Sequence, residues 1–314
     1  MKANKPNWEG MWAGLPTPWN EDWSLDEDSL TTNIKRMVDA RVQGIYLLGS
    51  TGEFYALNYD EFKTSVDILV RVASGNGIPL AVVCASPSTR ETIRFLEYAA
   101  EHRCDAAQLV LPYWMELTDR ELMAFFRDVA SAVPNLPIIH YNIPRAKRFL
   151  LGPDYAKIRE VLPNLVASKF TFAGSHFGDL CEAAILNPGM KFFVGESLLV
   201  SAMQVGAHGS SSSLVYTNCK YLLKMYDLAQ SGQWQEALAM QRNVQLFTGG
   251  LIRMLSDLGE GYIDPVVDKG LGVASGGIVG HQRTRAPYVG WSDSTVAAVR
   301  KWIADKFPEF LAEY

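Results

Sequence analysis

Eight short apolar runs alternate with segments of helical spacing over the first two thirds of the chain, and this pattern constrains the fold most strongly. The runs lie at Met11–Leu15, Ile45–Leu48, Leu80–Cys84, Ala106–Leu111, Ile138–Tyr141, Leu165–Lys169, Phe192–Gly195 and His208–Ser212. Apolar runs of this length are typical of buried strands. Eight alternations of strand and helix predict an α/β fold, a closed (β/α)8 TIM barrel, with a doubly wound parallel sheet as the alternative.

Helical stripes fill the spaces between these runs. One stripe follows a capping residue, Ser24 or Asp26, and consists of Leu30, Ile34, Met37 and Val38. Another lies between Thr118 and Pro134 and consists of Leu122, Phe125, Phe126 and Val129. Such spacing predicts helices that cover the strands with one apolar face.

The last hundred or so residues lack the strand pattern. We therefore predict a barrel over residues 1–216 that carries the active site, and a helical extension over residues 217–314 packed on it as one structural unit. The glycine-rich stretch Gly259 to Gly280 is predicted to break the extension. It holds neither a GxGxxG nor a Walker pattern, so phosphate binding is unsupported.

Reactive side chains stand at the carboxyl ends of three predicted strands. Lys169 ends the sixth run, Tyr141 ends the fifth, and the second leads into Gly49-Ser-Thr-Gly-Glu53. Function gathers at these ends in a parallel barrel. The pleat puts Tyr141 and Lys169 on one face, and it turns His140 outward as a core histidine.

Lys169 is the candidate nucleophile. Burial favours a neutral amine by lowering a lysine pKa, and a neutral amine can attack a ketone to form a Schiff base. The plainer alternative is a lysine at a strand end with its ammonium group in water.

Three motifs together carry a family resemblance. Gly49-Ser-Thr-Gly-Glu53, Tyr141-Asn-Ile-Pro144 and Lys169-Phe-Thr171 resemble the dihydrodipicolinate synthase and N-acetylneuraminate lyase family, a likeness that extends from Gly14-Leu-Pro-Thr-Pro18 to Arg285-Ala-Pro287. The resemblance implies a TIM barrel in which Lys169 forms a Schiff base with pyruvate or another 2-oxo acid, without a separate cofactor. It also implies a homotetramer built from tight dimers.

The resemblance implies roles for the matching residues. Tyr141 would relay protons, and Ser50 and Thr51 would bind the carboxylate of the 2-oxo acid. Glu53 would hold the loop by hydrogen bonds. Further substrate-site residues implied by the resemblance are Gly49, Thr171 and Gly195.

The second substrate is where the chain departs from its relatives. Ala146 stands where dihydrodipicolinate synthases use an arginine to bind the partner's carboxylate, and Leu198 replaces an acid of the sugar-cleaving lyases. Other segments, among them Pro112-Tyr-Trp114, resemble hydratase-aldolases that act on arylidene pyruvates. An aromatic aldehyde would suit Trp114, although plain interface packing explains that tryptophan equally well.

Other chemistries find less support in the sequence. The four cysteines show no CxxC spacing, and the five histidines show no metal-binding spacing. His176 and Asp179 are interpreted as a surface contact, and Ser212, in the run Ser210–Ser213, is expected to line the barrel mouth. A net charge of -5, without basic clusters, argues against nucleic acid.

These features predict a cytoplasmic enzyme without signal peptide or membrane span. The leading hypothesis is a pyruvate-dependent aldolase or lyase that makes or breaks a carbon–carbon bond to an aldehyde, with an aromatic aldehyde, as in the hydratase-aldolases, as one form of it. A 2-keto-3-deoxy sugar acid aldolase or dehydratase is the first alternative. A non-catalytic barrel that binds 2-oxo acids is the second.

Overall fold

The strands form one closed barrel. The computed structural model of the chain describes residues 7–171 and 175–313. The strands are β1 (Gly10–Gly14), β2 (Gly44–Leu47), β3 (Leu80–Cys84), β4 (Ala106–Leu109), β5 (Ile138–Asn142), β6 (Leu165–Phe170), β7 (Lys191–Val194) and β8 (Gly209–Ser212). They pair in chain order, and β8 closes the barrel against β1 in parallel. The predicted TIM barrel is confirmed.

Helices follow the strands as the apolar stripes predicted. They are α1 (Glu27–Asp39), α2 (Tyr59–Ala73), α3 (Thr89–Glu101), α4 (Asp119–Ala132), α5 (Gly152–Val161), α6 (Phe177–Leu186), α7 (Leu199–Met203), α8 (Cys219–Gln230), α9 (Trp234–Asp257), α10 (Val266–Ser275) and α11 (Asp293–Lys306). Asp26 caps α1 by accepting a hydrogen bond from the Ser29 amide, and Thr118 caps α4. Of the two proposed α1 caps, Asp26 is therefore correct.

The fifth and sixth strands run one residue further than predicted. Asn142 ends β5, and its carbonyl accepts from the Thr171 amide, so the ladder continues past Lys169. The Asn142 side chain bonds the backbone of Leu150 in both directions, at 2.8 and 2.9 Å. These two hydrogen bonds hold Asn142 in the strand, so β5 continues beyond its apolar run.

The glycine-rich stretch Gly259 to Gly280 interrupts the helices as predicted, over residues 258–265 and 276–292, but it also contains the helix α10. In α10 a Cβ on Gly270 would lie 2.2 Å from the Trp291 ring, and one on Gly272 would lie 2.8 Å from Ile278. These glycines allow close packing in a buried helix, and that packing outweighs their low helix propensity.

The helix α8 completes the eighth strand–helix unit, since it packs against β1 as well as α9. It lies within residues 217–314, which the sequence analysis grouped with the extension. In the described part of the chain, no helix is long and apolar enough to span a membrane.

Candidate active site

Lys169 and Tyr141 meet inside the carboxyl end of the barrel. They are direct partners in the β5–β6 ladder, so their side chains share a face. The Lys169 Nζ lies 4.1 Å from the centre of the Tyr141 ring. It also donates a hydrogen bond of 3.2 Å to the Tyr46 hydroxyl, which comes from β2 across the barrel. The amine therefore lies between two phenols.

Tyr46 was not singled out from the sequence. Its position in the β2 run, with alternate residues facing inward, was the available signal. Room for its ring comes from Gly14, where a Cβ would lie only 2.2 Å from the phenol oxygen. Because β2 and β6 lie on opposite sides of the barrel, the contact between Tyr46 and Lys169 is evident only in the three-dimensional structure.

The electrostatics of Lys169 differ from the sequence expectation. Burial lowers the pKa of the amine, but the phenols of Tyr141 and Tyr46 raise it more, so the pKa of Lys169 lies above its ordinary value. The prediction of a lowered pKa is therefore wrong for the substrate-free site. Lys169 is an ammonium ion at neutral pH and must lose a proton before it can attack a ketone.

The loop after β2 brings polar groups to the same place. The Ser50 Oγ lies 3.4 Å from the Tyr141 hydroxyl. Leu48 and Glu53 bound the loop in left-handed conformations, with φ of 67° and 55°. Gly52 is required because a Cβ there would lie 2.7 Å from the Leu48 nitrogen. The tight loop directs Ser50 toward the phenol.

Thr51 has a partner that the sequence analysis did not find. Its hydroxyl donates to the buried Asp268 carboxylate of α10. Burial, and then Asp264, raise the pKa of Asp268 well above its ordinary value. The raised pKa disfavours a negative charge on Asp268, beside the expected carboxylate site.

Glu53 joins the loop to the C-terminal extension. Its fully buried carboxylate accepts from the Trp19 indole at 3.0 Å and from the Arg285 amide at 2.8 Å. It also forms an ion pair with Lys269, whose amine donates to the Arg283 carbonyl as well. Burial lowers the pKa of Lys269 to about 8, against the opposing effect of Glu53.

The ends of β6, β7 and β8 carry the other predicted substrate residues. Thr171 and Gly195 follow β6 and β7 on the face of Lys169. Ser212 instead points away from the interior, and its Oγ accepts from the amides of Leu214 and Val215 at 3.0 and 2.9 Å. The strand alternation that turns Ser212 outward brings Ser211 to the inner face.

A cavity of about 220 Å³ opens beside Ser50. Its aromatic lining consists of Phe54, Tyr55, Tyr113, Tyr141 and Tyr288. Ala146 and Arg145 also line it, and Arg145 is paired with Asp264 at 2.9 Å. Trp114 does not line this cavity, and its side chain is 75% exposed in the single chain.

A larger cavity, about 1220 Å³, lies at the opposite end of the barrel, between Glu9, Gln43 and Pro79. That end carries stability rather than chemistry in barrels of this kind, and Lys169 is remote from it.

His140 lies outside the barrel interior, as predicted. Its Nδ1 lies 2.9 Å from the Tyr155 hydroxyl, which in turn lies 2.7 Å from Ser168 Oγ. Burial lowers the pKa of His140 to about 3, so the ring is neutral. His176 and Asp179 form the expected surface contact, at 2.6 Å.

Within residues 7–171 and 175–313, no three His, Cys, Asp or Glu side chains converge as metal ligands would. The reactive groups that do converge are an amine, two phenols and a serine hydroxyl. This set suits covalent attack on a carbonyl and proton transfer around it.

Comparison with known sequences gives a consistent family. The model of the dihydrodipicolinate synthetase family matches residues 7–300. A 4-hydroxy-tetrahydrodipicolinate synthase of Methanothrix thermoacetophila is 33% identical over 51% of this chain and 53% of that protein, about half of its length. The synthase of the same name from Phenylobacterium zucineum is 29% identical over 75% of this chain and 79% of that protein.

Solved structures share the fold. YagE, a prophage protein of E. coli K12 solved in complex with pyruvate, is 19% identical with a TM-score of 0.84, over 95% of this chain and 98% of that chain. A catalytic lysine mutant of the Ruminococcus gnavus sialic acid aldolase is also 19% identical with a TM-score of 0.84, over 97% of this chain and 98% of that chain. At such identities the likeness establishes the fold alone.

Proposed function

The chain belongs to the dihydrodipicolinate synthetase family, and from that premise we propose that it is a pyruvate-dependent aldolase or lyase that works through a Schiff base on Lys169. The observation that carries the proposal is the position of the Lys169 amine between the phenols of Tyr141 and Tyr46. None of the described residues forms an ion pair with this amine. YagE was solved with pyruvate, which supports a 2-oxo acid as the first substrate.

The reaction begins with proton loss from Lys169. The neutral amine attacks the keto carbon of pyruvate, and the resulting carbinolamine loses water to give an iminium ion. Removal of a C3 proton then gives an enamine, with the nitrogen as electron sink. Tyr141 relays these protons, since its hydroxyl lies near Ser50 and its ring near the amine.

The loop Gly49 to Glu53 binds the carboxylate end of the 2-oxo acid. Ser50 and Thr51 supply hydroxyls, and backbone amides of the turn supply further donors. The raised pKa of Asp268 favours an anion beside Thr51, because an ionised Asp268 would repel it.

The second substrate is an aldehyde of aromatic character. The rings that line the cavity beside Ser50 offer apolar area and edge contacts to a planar group. Ala146, which also lines this cavity, offers no positive charge to a carboxylate on the aldehyde. A hydroxylated aldehyde, as in a 2-keto-3-deoxy sugar acid aldolase, is the second candidate, favoured by the Arg145–Asp264 pair at the cavity.

A homotetramer remains part of the proposal. Trp114 and Met115 are 75% and 71% exposed in the single chain, and a partner subunit would cover them. Sedimentation of the purified protein tests this, with a monomer as the contrary result.

The substrate proposal is tested by condensation of pyruvate with benzaldehyde, 2-hydroxybenzaldehyde, glyceraldehyde and aspartate semialdehyde. We expect kcat/KM to be at least about tenfold higher for the two aromatic aldehydes than for the other two, a difference that one apolar pocket can produce. Lys169→Met supplies the background rate. A preference for glyceraldehyde would favour the sugar acid reaction, and a preference for the semialdehyde would favour the synthase reaction.

A further inference from the structure

A second row of residues lies above Lys169, across the ends of three strands. Lys169 pairs with Phe193, and Phe193 pairs with Gly209, so these three share the inner face. Because the pleat repeats every two residues, the next inward positions are Thr171, Gly195 and Ser211. This row, named the upper row here, stands toward the barrel mouth.

Two hydroxyls of the upper row have no hydrogen-bond partner among the described residues. The Ser211 Oγ and the Thr171 Oγ1 are buried and form no hydrogen bond with any residue in the ranges 7–171 and 175–313. Ser211 is only 7% exposed. A buried hydroxyl left unpaired is costly, so a recurring ligand or water is the ordinary explanation for such a group.

The space between these hydroxyls is open. A Cβ built on Gly195 would meet no described atom within 4 Å. By contrast, the other serines of β8 are engaged: Ser210 contacts Glu196 at 3.5 Å, and Ser212 accepts from two amides. Ser211 is thus the serine of this strand that is available to a ligand.

Ser211 is also close to the reactive amine. The Tyr46 hydroxyl that accepts from Lys169 at 3.2 Å lies 3.4 Å from the Ser211 carbonyl oxygen and donates to it. Through this phenol, the backbone of Ser211 in the upper row is joined to the reactive amine of Lys169.

We propose that Ser211, together with Thr171, binds the carbonyl oxygen of the aldehyde as it becomes a hydroxyl group. The proposal rests on the Schiff-base function above and extends it to a residue that donates to the second substrate. Ser211 acts in carbon–carbon bond formation and has no part in the capture of pyruvate.

The new carbon–carbon bond is formed by the enamine. The enamine C3 forms a bond to the aldehyde carbon, and the π bond of the aldehyde carbonyl breaks. Its electron pair goes to the oxygen, which takes a proton from the Tyr141 phenol, while the nitrogen returns to the iminium state. A hydroxyl donor within hydrogen-bond reach stabilises the charge that develops on that oxygen.

The test separates the two halves of the reaction in Ser211→Ala. Borohydride trapping of pyruvate and exchange of its C3 protons with deuterium report the first half, and condensation with benzaldehyde and with glyceraldehyde reports the second. We expect the first half to stay within about twofold, and kcat/KM for both aldehydes to fall about 10- to 100-fold, as for a lost charge-stabilising donor. Ser211→Thr keeps the hydroxyl and should recover most of the rate.

Ser210→Ala is the matched control, since this serine lies on the same strand but faces outward. Equal loss in both halves of the Ser211→Ala reaction, or unchanged condensation, would overturn the role of Ser211 while the Schiff-base function stood. Absence of condensation with either aldehyde in the unaltered protein would also overturn it. Failure of the unaltered protein to trap pyruvate would instead reject the Schiff-base function, and this proposal with it.

Discussion

Two lysines reach the carboxyl end of the barrel, and their surroundings are opposite. Lys269 is 1% exposed and pairs with the Glu53 carboxylate and the Arg283 carbonyl. Lys169 is partly exposed, meets the phenols of Tyr141 and Tyr46, and has no carboxylate within ion-pair distance among the described residues. One ammonium group is neutralised and enclosed, whereas the other is held next to groups that can exchange a proton with it.

The two lysines therefore differ in role, one in the structure of the barrel and the other in its chemistry. Lys269 is buried and its amine is engaged by Glu53 and the Arg283 carbonyl, so a substrate cannot reach it even though its pKa is lowered. A lysine between phenols can give up its proton and react. We therefore assign Lys269 to the scaffold and Lys169 to the reaction.

The largest effect is expected for Lys169→Met. Condensation activity should fall roughly 10⁴-fold or more, because the group that forms the covalent bond is absent. The free energy of unfolding should change by less than about 1 kcal/mol, since no ion pair is lost. Steady-state kinetics and urea denaturation measure the two quantities, and a large loss of stability would make Lys169 a scaffold residue as well.

Tyr141→Phe should lower turnover by about 10²- to 10⁴-fold, the usual contribution of a positioned proton-transfer group. Pyruvate should still bind, as calorimetry can show. Tyr155→Phe removes a buried phenol outside the barrel interior and is the matched control. Turnover that is unchanged in Tyr141→Phe would remove this phenol from the mechanism and favour a binding barrel.

Lys269→Met should lower the free energy of unfolding by about 3–5 kcal/mol, because it leaves the buried Glu53 carboxylate without its cation. Urea denaturation measures the change. The double variant Glu53→Gln, Lys269→Met should recover part of the loss. Equal stability of Lys269→Met and the unaltered protein would contradict the scaffold role.

The last prediction concerns the pH dependence of pyruvate trapping. Since the pKa of Lys169 is raised, the reactive neutral amine is scarce at pH 7 and gains about tenfold with each pH unit. The rate of pyruvate trapping by cyanoborohydride should rise from pH 7 to pH 10 without a plateau. Tyr46→Phe removes one of the phenols that raise the pKa, so its profile should shift to lower pH. A plateau near pH 8 in the unaltered protein would contradict a raised pKa.

Local sequence patterns predicted the barrel because each strand is a short apolar run and each helix has one apolar face. The same period-two alternation predicted that Tyr141 and Lys169 share a face, and the two residues are partners in the β5–β6 ladder. In β8 the three serines look alike in the sequence, and only the register with β7 identifies Ser211 as the inward one.

Long-range contacts could not be predicted in this way. Asp268 and Lys269 lie more than two hundred residues from their partners Thr51 and Glu53, inside a glycine-rich stretch that resembles a loop. Tyr46 reaches Lys169 only because the barrel closes. The direction of the pKa shift of Lys169 could not be predicted locally either, because it depends on phenols that other strands contribute.

Borohydride reduction in the presence of pyruvate, followed by peptide mass mapping, distinguishes the two lysines by the position of the label. We expect a reduced pyruvate adduct on Lys169 alone, with Lys269 unlabelled. An adduct on Lys269, adducts spread over surface lysines, or no adduct would contradict the assignment of the two lysines.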